Sequence, residues 1–481
     1  MQCKLTTLSN NTAFYMTMAF FAIVYLFLPS NNMSGDAVCY AADIKYGYEL
    51  LHWHHLLYNG FMWLLYRPVE ALGVSIGITA FICCINALFS LSTLAVLYAT
   101  IKRIASEQTA LALTVFAGSC FGFLRYTLES EVYIPPLFFS IVSSYFFVRY
   151  STENRLSQLL FMALAASLAC LFHQIHLFWG IALFIGIAFL KRYRDLCIYA
   201  AVTLIVPATY ALVVFLQDGY LTFDNFSHYI AYYYYTPASD VSGIGLKNLI
   251  MSPISFVRSF IQLHGDIAIQ LSLKPYLYVL AVVLPIAAIY LLVRLVRSSS
   301  ARRDGNRAVI IAHLAAFLLQ LLFAIYSDGN TEFMVMLPFA LVIMLSQCCN
   351  LSNRYVVWLA SVMLAWNLTF SVLPNHFYNQ YATDKFSEYV HDHPDAEFVA
   401  YDAGSVQALC FLKYGEPEID NVFYLCDVSD GEFITDIIDR PTPFNRMRFV
   451  KDIQKNYIVL DTLQTIEADY GNYHLCKIRV R

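Results

Sequence analysis

The sequence predicts a polytopic α-helical membrane protein with a small α/β domain at its C-terminal end. Three observations support this fold class. Hydrophobic residues make up 59% of the 481 residues and charged residues only 13%, whereas soluble domains carry about 25% charged residues. Apolar runs long enough to span a bilayer recur along the chain up to residue 373. Beyond that point the composition changes, and 18 of the 34 carboxylates lie there.

About eleven apolar runs have the length that an α-helix needs to cross the hydrocarbon core, roughly 17 to 25 residues. We expect a membrane helix at each of them, the shortest runs being 157–172 and 333–346. The runs lie at 12–28, 74–101, 107–124, 132–148, 157–172, 176–190, 196–216, 276–296, 308–326, 333–346 and 355–373. They contain almost no charged residues, so the ionisable residues concentrate in the turns.

Basic residues are divided unequally between the two sides of this topology. With the N-terminus inside, the inner loops hold fourteen lysines and arginines, and the outer loops before residue 374 hold six. Cytoplasmic loops are the ones enriched in Lys and Arg, so we expect the N-terminus in the cytoplasm. An odd number of spans then places the C-terminus outside. We recognise no eukaryotic sorting signal and therefore expect a bacterial inner membrane, with the C-terminus in the periplasm.

Three outer segments are longer than a connection requires, namely the loops 29–73 and 217–275 and the tail 374–481. The chain therefore divides into a transmembrane domain, 1–373, and an extracytoplasmic domain, 374–481. The tail alternates strand-like and helix-like runs, and about 100 residues suffice for one small α/β domain. Because the inner loops are short, we expect the protein to act on its outer face.

Asp36 follows the first apolar run, in the stretch "SGDAVCYAADIKYGY". We expect a short helix that opens after Gly35 and lies along the membrane surface, since Tyr40, Asp43 and Gly47 follow at helical spacing. Asp36 has two interpretations. It caps this helix by accepting backbone N–H bonds, the commoner role for such an aspartate, or it is a functional carboxylate.

Three further outer turns place carboxylates or histidines against a membrane span. They are "RYTLESEVYIPPLFF", "YSDGNTEFMVMLPF" and "FHQIHLF". A carboxylate at the start of a span is costly to desolvate without a partner, although a local ion pair or interfacial anchoring would also explain the first turn. We expect the four turns to line one polar cavity at the outer interface. Their charged residues and histidines are Arg125, Glu129, Glu131, Asp328, Glu332, His173 and His176.

In order and sidedness these motifs resemble those of the membrane glycosyltransferases of the GT-C fold, which include the protein O-mannosyltransferases and the aminoarabinose transferases. In these families an acidic residue follows the first span, with an aromatic residue shortly after it. A histidine segment, an outer "EVY" turn and a late "N-x-E" turn before Leu-Pro follow. The matching residues here are Asp36, Tyr40, "HHLLY" at 54–58 without the usual proline, Glu131 to Tyr133, Asn330, Glu332, Leu337 and Pro338.

The resemblance implies a glycosyltransferase of GT-C-like architecture that moves a sugar from a polyprenyl phosphate carrier to a lipid, glycan or protein acceptor on the outer face. Asp36 would take the acceptor proton as general base, and Glu131 would orient the acceptor or a metal. A single displacement inverts the anomeric centre. For the donor phosphate, the outer basic residues nearest the span ends rank as Arg258, then Lys274 and Arg125.

The same resemblance gives a set of residues expected to line the substrate cavity. They are Tyr40, His54, His55, Tyr58, Tyr133, His173, His176, Asp328 and Glu332. The histidines could supply metal ligands, but an HxxH spacing alone is weak, and ordinary interfacial histidines are the favoured interpretation. No metal or other cofactor is therefore predicted, with a divalent cation as the alternative.

Two other classes of membrane protein remain as alternatives. An oligosaccharide polymerase or ligase would place its chemistry in a late outer loop rich in Arg and His, yet the loop 217–275 contains one Arg and two His. A transporter or flippase would more often carry ionisable residues at mid-membrane depth. The net charge of −4 suggests no nucleic-acid partner.

Overall fold

The structure, a computed structural model, is a helical bundle joined to a mixed β-sheet. It describes residues 10–232, 245–263, 266–327, 329–380, 382–417, 419–425, 427–437 and 457–480. Each predicted apolar run coincides with one helix or with consecutive helices. Among the described residues, six helical segments are long and apolar enough to cross a membrane, or seven if one bent pair of helices is a single span. The protein is therefore an integral membrane protein, and eleven spans stay a prediction.

The long helices run back and forth through the bundle, with shorter helices between them. In chain order they are α1 (Asn10–Phe27), α2 (Gly35–Tyr46), α3 (Tyr58–Ala71), α4 (Ile78–Lys102), α5 (Glu107–Gly118), α6 (Phe121–Leu128), α7 (Ile134–Glu153), α8 (Leu156–Phe172), α9 (Leu177–Phe189), α10 (Tyr193–Thr203), α11 (Ile205–Asp218), α12 (Phe223–Ile230), α13 (Leu246–Arg258), α14 (Asp266–Leu273), α15 (Leu277–Ser298), α16 (Arg307–Tyr326), α17 (Leu337–Cys348), α18 (Asn353–Asn367) and α19 (Leu373–Phe377).

The two ends of the bundle differ in chemistry. At one end, which we call the basic end, the Lys102–Glu107 ion pair (2.6 Å) spans the turn between α4 and α5, and the Arg103–Glu153 pair (3.4 Å) joins that turn to the end of α7. A two-residue ribbon of β1 (Ser300–Ala301) and β2 (Cys349–Asn350) joins two more turns there. The opposite end, the acidic end, holds the carboxylates and histidines that the sequence predicts to face outward. Which end faces the cytoplasm stays a prediction.

Helix α2 forms where the sequence predicts it, but Asp36 does not cap it. The N-cap is Ser34, whose hydroxyl oxygen accepts a hydrogen bond from the Ala37 amide at 3.1 Å. Asp36 lies within the first helical turn, so its interpretation as the cap is wrong. The helix ends at Gly47, which adopts the left-handed conformation with φ +72° that glycine tolerates best. With the cap role taken by Ser34, the Asp36 carboxylate is available for another role.

The C-terminal residues fold into a five-stranded sheet of order β4–β3–β5–β7–β6. Its parallel pairs are β3–β4 and β3–β5, and its antiparallel pairs are β5–β7 and β6–β7. The elements are α20 (Thr383–Asp392), β3 (Phe398–Val399), α21 (Ala403–Tyr414), β4 (Val422–Phe423), β5 (Gly431–Thr435), β6 (Tyr457–Ala468) and β7 (Gly471–Val480). Each run of the tail that the sequence predicts as a strand or a helix contains an element of that type. Strand β5 lies outside these runs and was not predicted.

Helix α21 connects the sheet to the membrane bundle. One of its faces packs on the sheet, where Val406 and Cys410 join a core with Phe398. The opposite side lies along α2, with the Tyr46 ring stacked on Phe411 at 5.2 Å between centroids. The helix that carries Asp36 is therefore held between the bundle and the C-terminal sheet.

Candidate active site

Three carboxylates from distant parts of the chain meet at the acidic end. The Ser34 hydroxyl donates a hydrogen bond to Glu131, and the Tyr133 hydroxyl donates one to Glu332 Oε2 at 3.1 Å. Asp36 interacts electrostatically with Glu332, and Glu131 with both of them. Three of the four outer turns considered in the sequence therefore contribute to one site. Asp328, expected beside Glu332, lies outside the described residues.

The turn that carries Glu131 is held in place by buried side chains. Asn86, fully buried within α4, donates from Nδ2 to the carbonyls of Glu129 (3.1 Å) and Glu131 (2.9 Å). The Tyr58 hydroxyl donates to the Glu131 carbonyl at 3.0 Å. Tyr58 thus supports the site through the backbone. Asn86 was not predicted as part of the site, although a polar residue within an apolar run often indicates a functional position.

The Asp36 carboxylate is suited to accept a proton near neutral pH. Burial and, after it, Glu332 and Asp402 together raise its pKa to about 6, although Arg125 acts to lower it. Its side chain nevertheless reaches solvent, so it can exchange protons. A group with a pKa near 6 is roughly nine-tenths ionised at pH 7. General bases work best when the pKa lies close to the operating pH.

Glu131 has the opposite character. Its side chain is buried, and burial together with Glu332 and Glu129 holds its pKa well above the usual range, while the Ser34 hydroxyl acts to lower it. A raised pKa favours the protonated form of Glu131, which cannot take up a further proton, so Asp36 is the better candidate for the proton acceptor. Neighbouring carboxylates with different environments can take different roles in one reaction.

Two arginines line a polar cavity of about 330 Å³ next to Ser34. Arg125 Nε donates to Glu129 Oε1 at 3.0 Å, so the local ion pair considered in the sequence exists and is largely buried. The Arg258 guanidinium lies 5.7 Å from the Phe121 ring, and its Nε has no hydrogen-bond partner in the described part of the chain.

The charge balance of this cavity limits what it can bind. Asp266 and Glu129 also line it, so its two cations face two carboxylates. Burial, and after it the neighbouring Arg125, lowers the pKa of Arg258. An anionic oxygen bound near Arg258 would supply its missing partner and relieve the repulsion between the guanidiniums.

Lys274, the third predicted phosphate ligand, lies apart from these arginines. It lines a neighbouring cavity of about 360 Å³, together with Leu277 and Phe377. Its ammonium lies over the Tyr378 ring, 3.7 Å from the centroid, and is hydrogen bonded to the hydroxyl of that residue. The structure thus groups Arg125 with Arg258 and separates both from Lys274.

A row of rings leads from the carboxylates into loop 29–73. Tyr133 stacks on His173 at 5.3 Å between centroids, and His173 lies 6.2 Å from His55. His55 in turn contacts Tyr40 (4.6 Å) and stacks on His52 (4.1 Å). Burial lowers the pKa of His55 well below its usual range and that of His52 to about 3. These rings are neutral at pH 7 and supply no positive charge to a phosphate.

The two other predicted histidines take structural positions. His54 has its pKa lowered to about 4 by burial, and its carbonyl accepts from the Gln174 amide at 2.9 Å. His176 is buried between packed helices, and its Nδ1 lies 2.7 Å from the Ser140 hydroxyl oxygen. In the part of the chain that the structure describes, no three His, Cys, Asp or Glu side chains are grouped to hold a metal ion.

Comparison with known proteins adds a family match and a fold match. A family model described as dolichyl-phosphate-mannose-protein mannosyltransferase matches residues 63–217. A search of curated proteins finds no match. The fold is similar to that of ArnT from Cupriavidus metallidurans, whose crystal structure was determined bound to undecaprenyl phosphate. The TM-score is 0.58 at 9% identity, and the match covers 98% of each chain.

Two other solved structures match more weakly. The S. cerevisiae protein O-mannosyltransferase Pmt1–Pmt2 complex bound to its sugar donor has a TM-score of 0.35 at 17% identity, over 46% of this chain and 35% of that one. The Archaeoglobus fulgidus oligosaccharyltransferase, in complex with zinc and sulfate, has a TM-score of 0.43 at 11% identity, over 96% and 72%. The full-length match to ArnT establishes the GT-C fold expected from the sequence.

Proposed function

We propose that the chain is a membrane glycosyltransferase that moves a sugar from a polyprenyl phosphate to an acceptor at the acidic end of the bundle. The observation that carries the proposal is the position of Asp36, a carboxylate with a pKa of about 6, next to a cavity lined by Arg125 and Arg258. The family model for lipid-linked mannose transfer and the fold of an undecaprenyl-phosphate-bound enzyme support this donor class.

In the proposed reaction Asp36 is the general base. The acceptor hydroxyl oxygen attacks the anomeric carbon, the bond from that carbon to the phosphate oxygen breaks, and its electron pair stays on the phosphate. The hydroxyl proton passes to Asp36 as the attack proceeds. One displacement inverts the anomeric centre. Glu131 and Glu332, held by Ser34 and Tyr133, orient the acceptor, which is a lipid, glycan or protein.

The donor phosphate is assigned first to Arg258 and then to Arg125. Arg258 has an unpartnered Nε in the described part of the cavity, whereas Arg125 is already paired with Glu129. Lys274 becomes the third candidate, because it lines the neighbouring cavity. Negative charge grows on the phosphate as its bond to the sugar breaks, and fixed guanidinium donors stabilise such charge.

We further propose eleven spans in a bacterial inner membrane, with the N-terminus in the cytoplasm and the acidic end in the periplasm. The C-terminal residues 374–481 then form an extracytoplasmic domain. The segregation of the basic turns from the acidic turns supports this orientation. The contact between α21 and α2 supports a C-terminal domain on the same side as Asp36.

The proposal is tested with purified protein in lipid nanodiscs. Undecaprenyl phosphates carrying mannose, glucose or aminoarabinose are each supplied with a bacterial lipid extract, and released undecaprenyl phosphate is measured by mass spectrometry. We expect release from one donor class, its loss in Asp36→Asn, and its retention in the matched control Asp224→Asn, an exposed carboxylate of α12. Equal release by Asp36→Asn and the native protein contradicts the proposal. Chain-length ladders of product would instead indicate a polymerase.

A further inference from the structure

The C-terminal segment touches the candidate active site through one edge of helix α21. This helix runs parallel to α2 along its length. Near the end of α2, Lys45 Nζ donates to the Leu412 carbonyl at 2.8 Å. At its start, Gly35 lies against Ser405. The N-termini of the two helices therefore meet one residue before Asp36.

The contact at Gly35 leaves no room for a side chain unless the Ser405 hydroxyl moves. A Cβ atom on Gly35 would collide with the Ser405 hydroxyl, while the Ser405 Cβ would lie 3.6 Å away, an ordinary contact. The glycine therefore accommodates the close approach of α21, and no unusual backbone angle is involved. It fixes the distance between the start of α2 and the C-terminal segment.

Ser405 is itself locked by the cap of α21. Asp402 Oδ1 accepts from the Ser405 amide at 3.2 Å, and Oδ2 accepts from the Ser405 hydroxyl at 2.6 Å. This arrangement holds the Asp402 carboxylate close enough to interact electrostatically with Asp36. Among the described residues, Arg125, Glu131, Glu332 and the Cys39 thiol also interact with Asp36. Asp402 differs from these four groups because it belongs to the C-terminal segment.

We propose that the Asp402–Ser405 pair is a positioning element of the active site, which fixes the start of α2 and sets the charge beside Asp36. The inference rests on the proposed function of Asp36 as a base. The C-terminal segment then takes part in transfer by positioning α2 and Asp36. The sequence alone does not link Asp402 to Asp36, since 366 positions separate them and no sequence feature connects the two.

The sign of the electrostatic effect follows from the charges. An ionised Asp402 disfavours a second negative charge on Asp36 and so keeps the proton on Asp36 to higher pH. Replacing Asp402 with Asn removes this repulsion, and the pKa of Asp36 should fall. Arg125, Glu131, Glu332 and Cys39 are unchanged by the substitution, so they give no such shift.

The first test measures the protonation of Asp36 directly, without a substrate. The carboxyl band of Asp36 is assigned by infrared difference between native protein and Asp36→Asn, and is then titrated. We expect its midpoint to move to lower pH in Asp402→Asn and to stay in place in Asp392→Asn, an exposed aspartate of the same segment. An unchanged midpoint in Asp402→Asn overturns the electrostatic half of the inference.

The second test uses the size of residue 35. Gly35→Ala places a Cβ where the Ser405 hydroxyl lies, so it should break the bond from Ser405 to Asp402 and lower transfer while undecaprenyl phosphate still binds. Ser405→Ala removes the same hydroxyl without adding bulk and should lower transfer to a similar extent, and the double variant should lose no more than either single variant. Normal transfer by Ser405→Ala overturns the positioning role, whether or not Gly35→Ala folds. Normal transfer by Asp36→Asn overturns the proposed function instead, and the two failures are thus distinguished.

Discussion

At the scale of single residues, the site depends on a contrast between two carboxylates. Asp36 is reached by solvent and has a pKa of about 6, while Glu131 is buried and hydrogen bonded to Ser34. Asp36→Asn keeps the volume but removes the proton acceptor. We expect turnover to fall by about 10² to 10⁴, the usual contribution of a positioned base. Donor binding should stay close to normal, as measured with undecaprenyl phosphate, and the protein should remain monodisperse.

The pH dependence of transfer follows from the same pKa. Asp36 must be ionised to accept a proton, so kcat/KM should fall as the pH drops through about 6. An ordinary aspartate would give this loss only near its usual pKa of about 3.9. A profile that stays flat down to pH 5, measured with the donor that the release assay identifies, contradicts the assignment of Asp36 as base.

Arg258 and Lys274, two of the three candidate phosphate ligands, can be separated by mutation. Arg258→Ala should weaken undecaprenyl phosphate binding by about 1.5–3 kcal/mol, the value of a hydrogen bond to a charged group. Lys274→Ala should have a smaller effect, because its ammonium already contacts Tyr378 in another cavity. Arg67→Ala, which removes an exposed arginine, serves as the control. A larger effect at Lys274 than at Arg258 would move the phosphate to the second cavity.

Candidate site residues could be proposed from the sequence only where a local motif points to them. Asp36 stands out because it follows the first apolar run closely, and Glu131 because it immediately precedes another run. No role was predicted for Ser34, whose bond to Glu131 crosses 97 residues. Such bonds depend on how the helices pack, which one sequence does not reveal. Helix packing also decides the position of His176. Its spacing from His173 suggested that both line one cavity, but its ring lies against Ser140.

At the scale of elements, α2 is the helix on which the site depends. Ser34→Ala removes its N-cap and also the donor to Glu131. Loss of a cap costs about 0.5–2 kcal/mol, and we expect a similar loss of unfolding free energy together with reduced transfer. Ser106→Ala is the matched control, since Ser106 caps α5 at the basic end by accepting from the Thr109 amide at 3.1 Å. It should lose comparable stability in denaturant and keep transfer.

Helix positions followed closely from hydropathy, and helix breaks did not. The run predicted at 107–124 is two helices, α5 and α6, bent by 61°. The amides freed at the start of α6 are satisfied elsewhere, since Phe121 and Gly122 donate to the carbonyls of Phe260 and Ser259 at 3.0 Å. A buried break needs such acceptors, and here they come from the end of α13. The sequence of the run itself does not contain them.

At the scale of the whole molecule, the separation of basic and acidic ends makes a prediction about orientation. A reporter that is active only outside the cytoplasm, fused after residue 481, should be active, because the basic turns are expected inside. The same reporter in the turn between α8 and α9, at residue 173, should also be active, and one between α7 and α8 should be silent. Activity of the last fusion alone would invert the topology and place Asp36 in the cytoplasm.

The central claim is that a polyprenyl phosphate binds with its phosphate at the two arginines, beside Asp36. A cryo-electron microscopy structure with undecaprenyl phosphate tests it most directly. We predict phosphate density within hydrogen-bonding distance of Arg258 and Arg125, in the cavity of about 330 Å³ that Ser34 also lines. Phosphate density at Lys274 in the neighbouring cavity, or at the basic end of the bundle, would contradict the account.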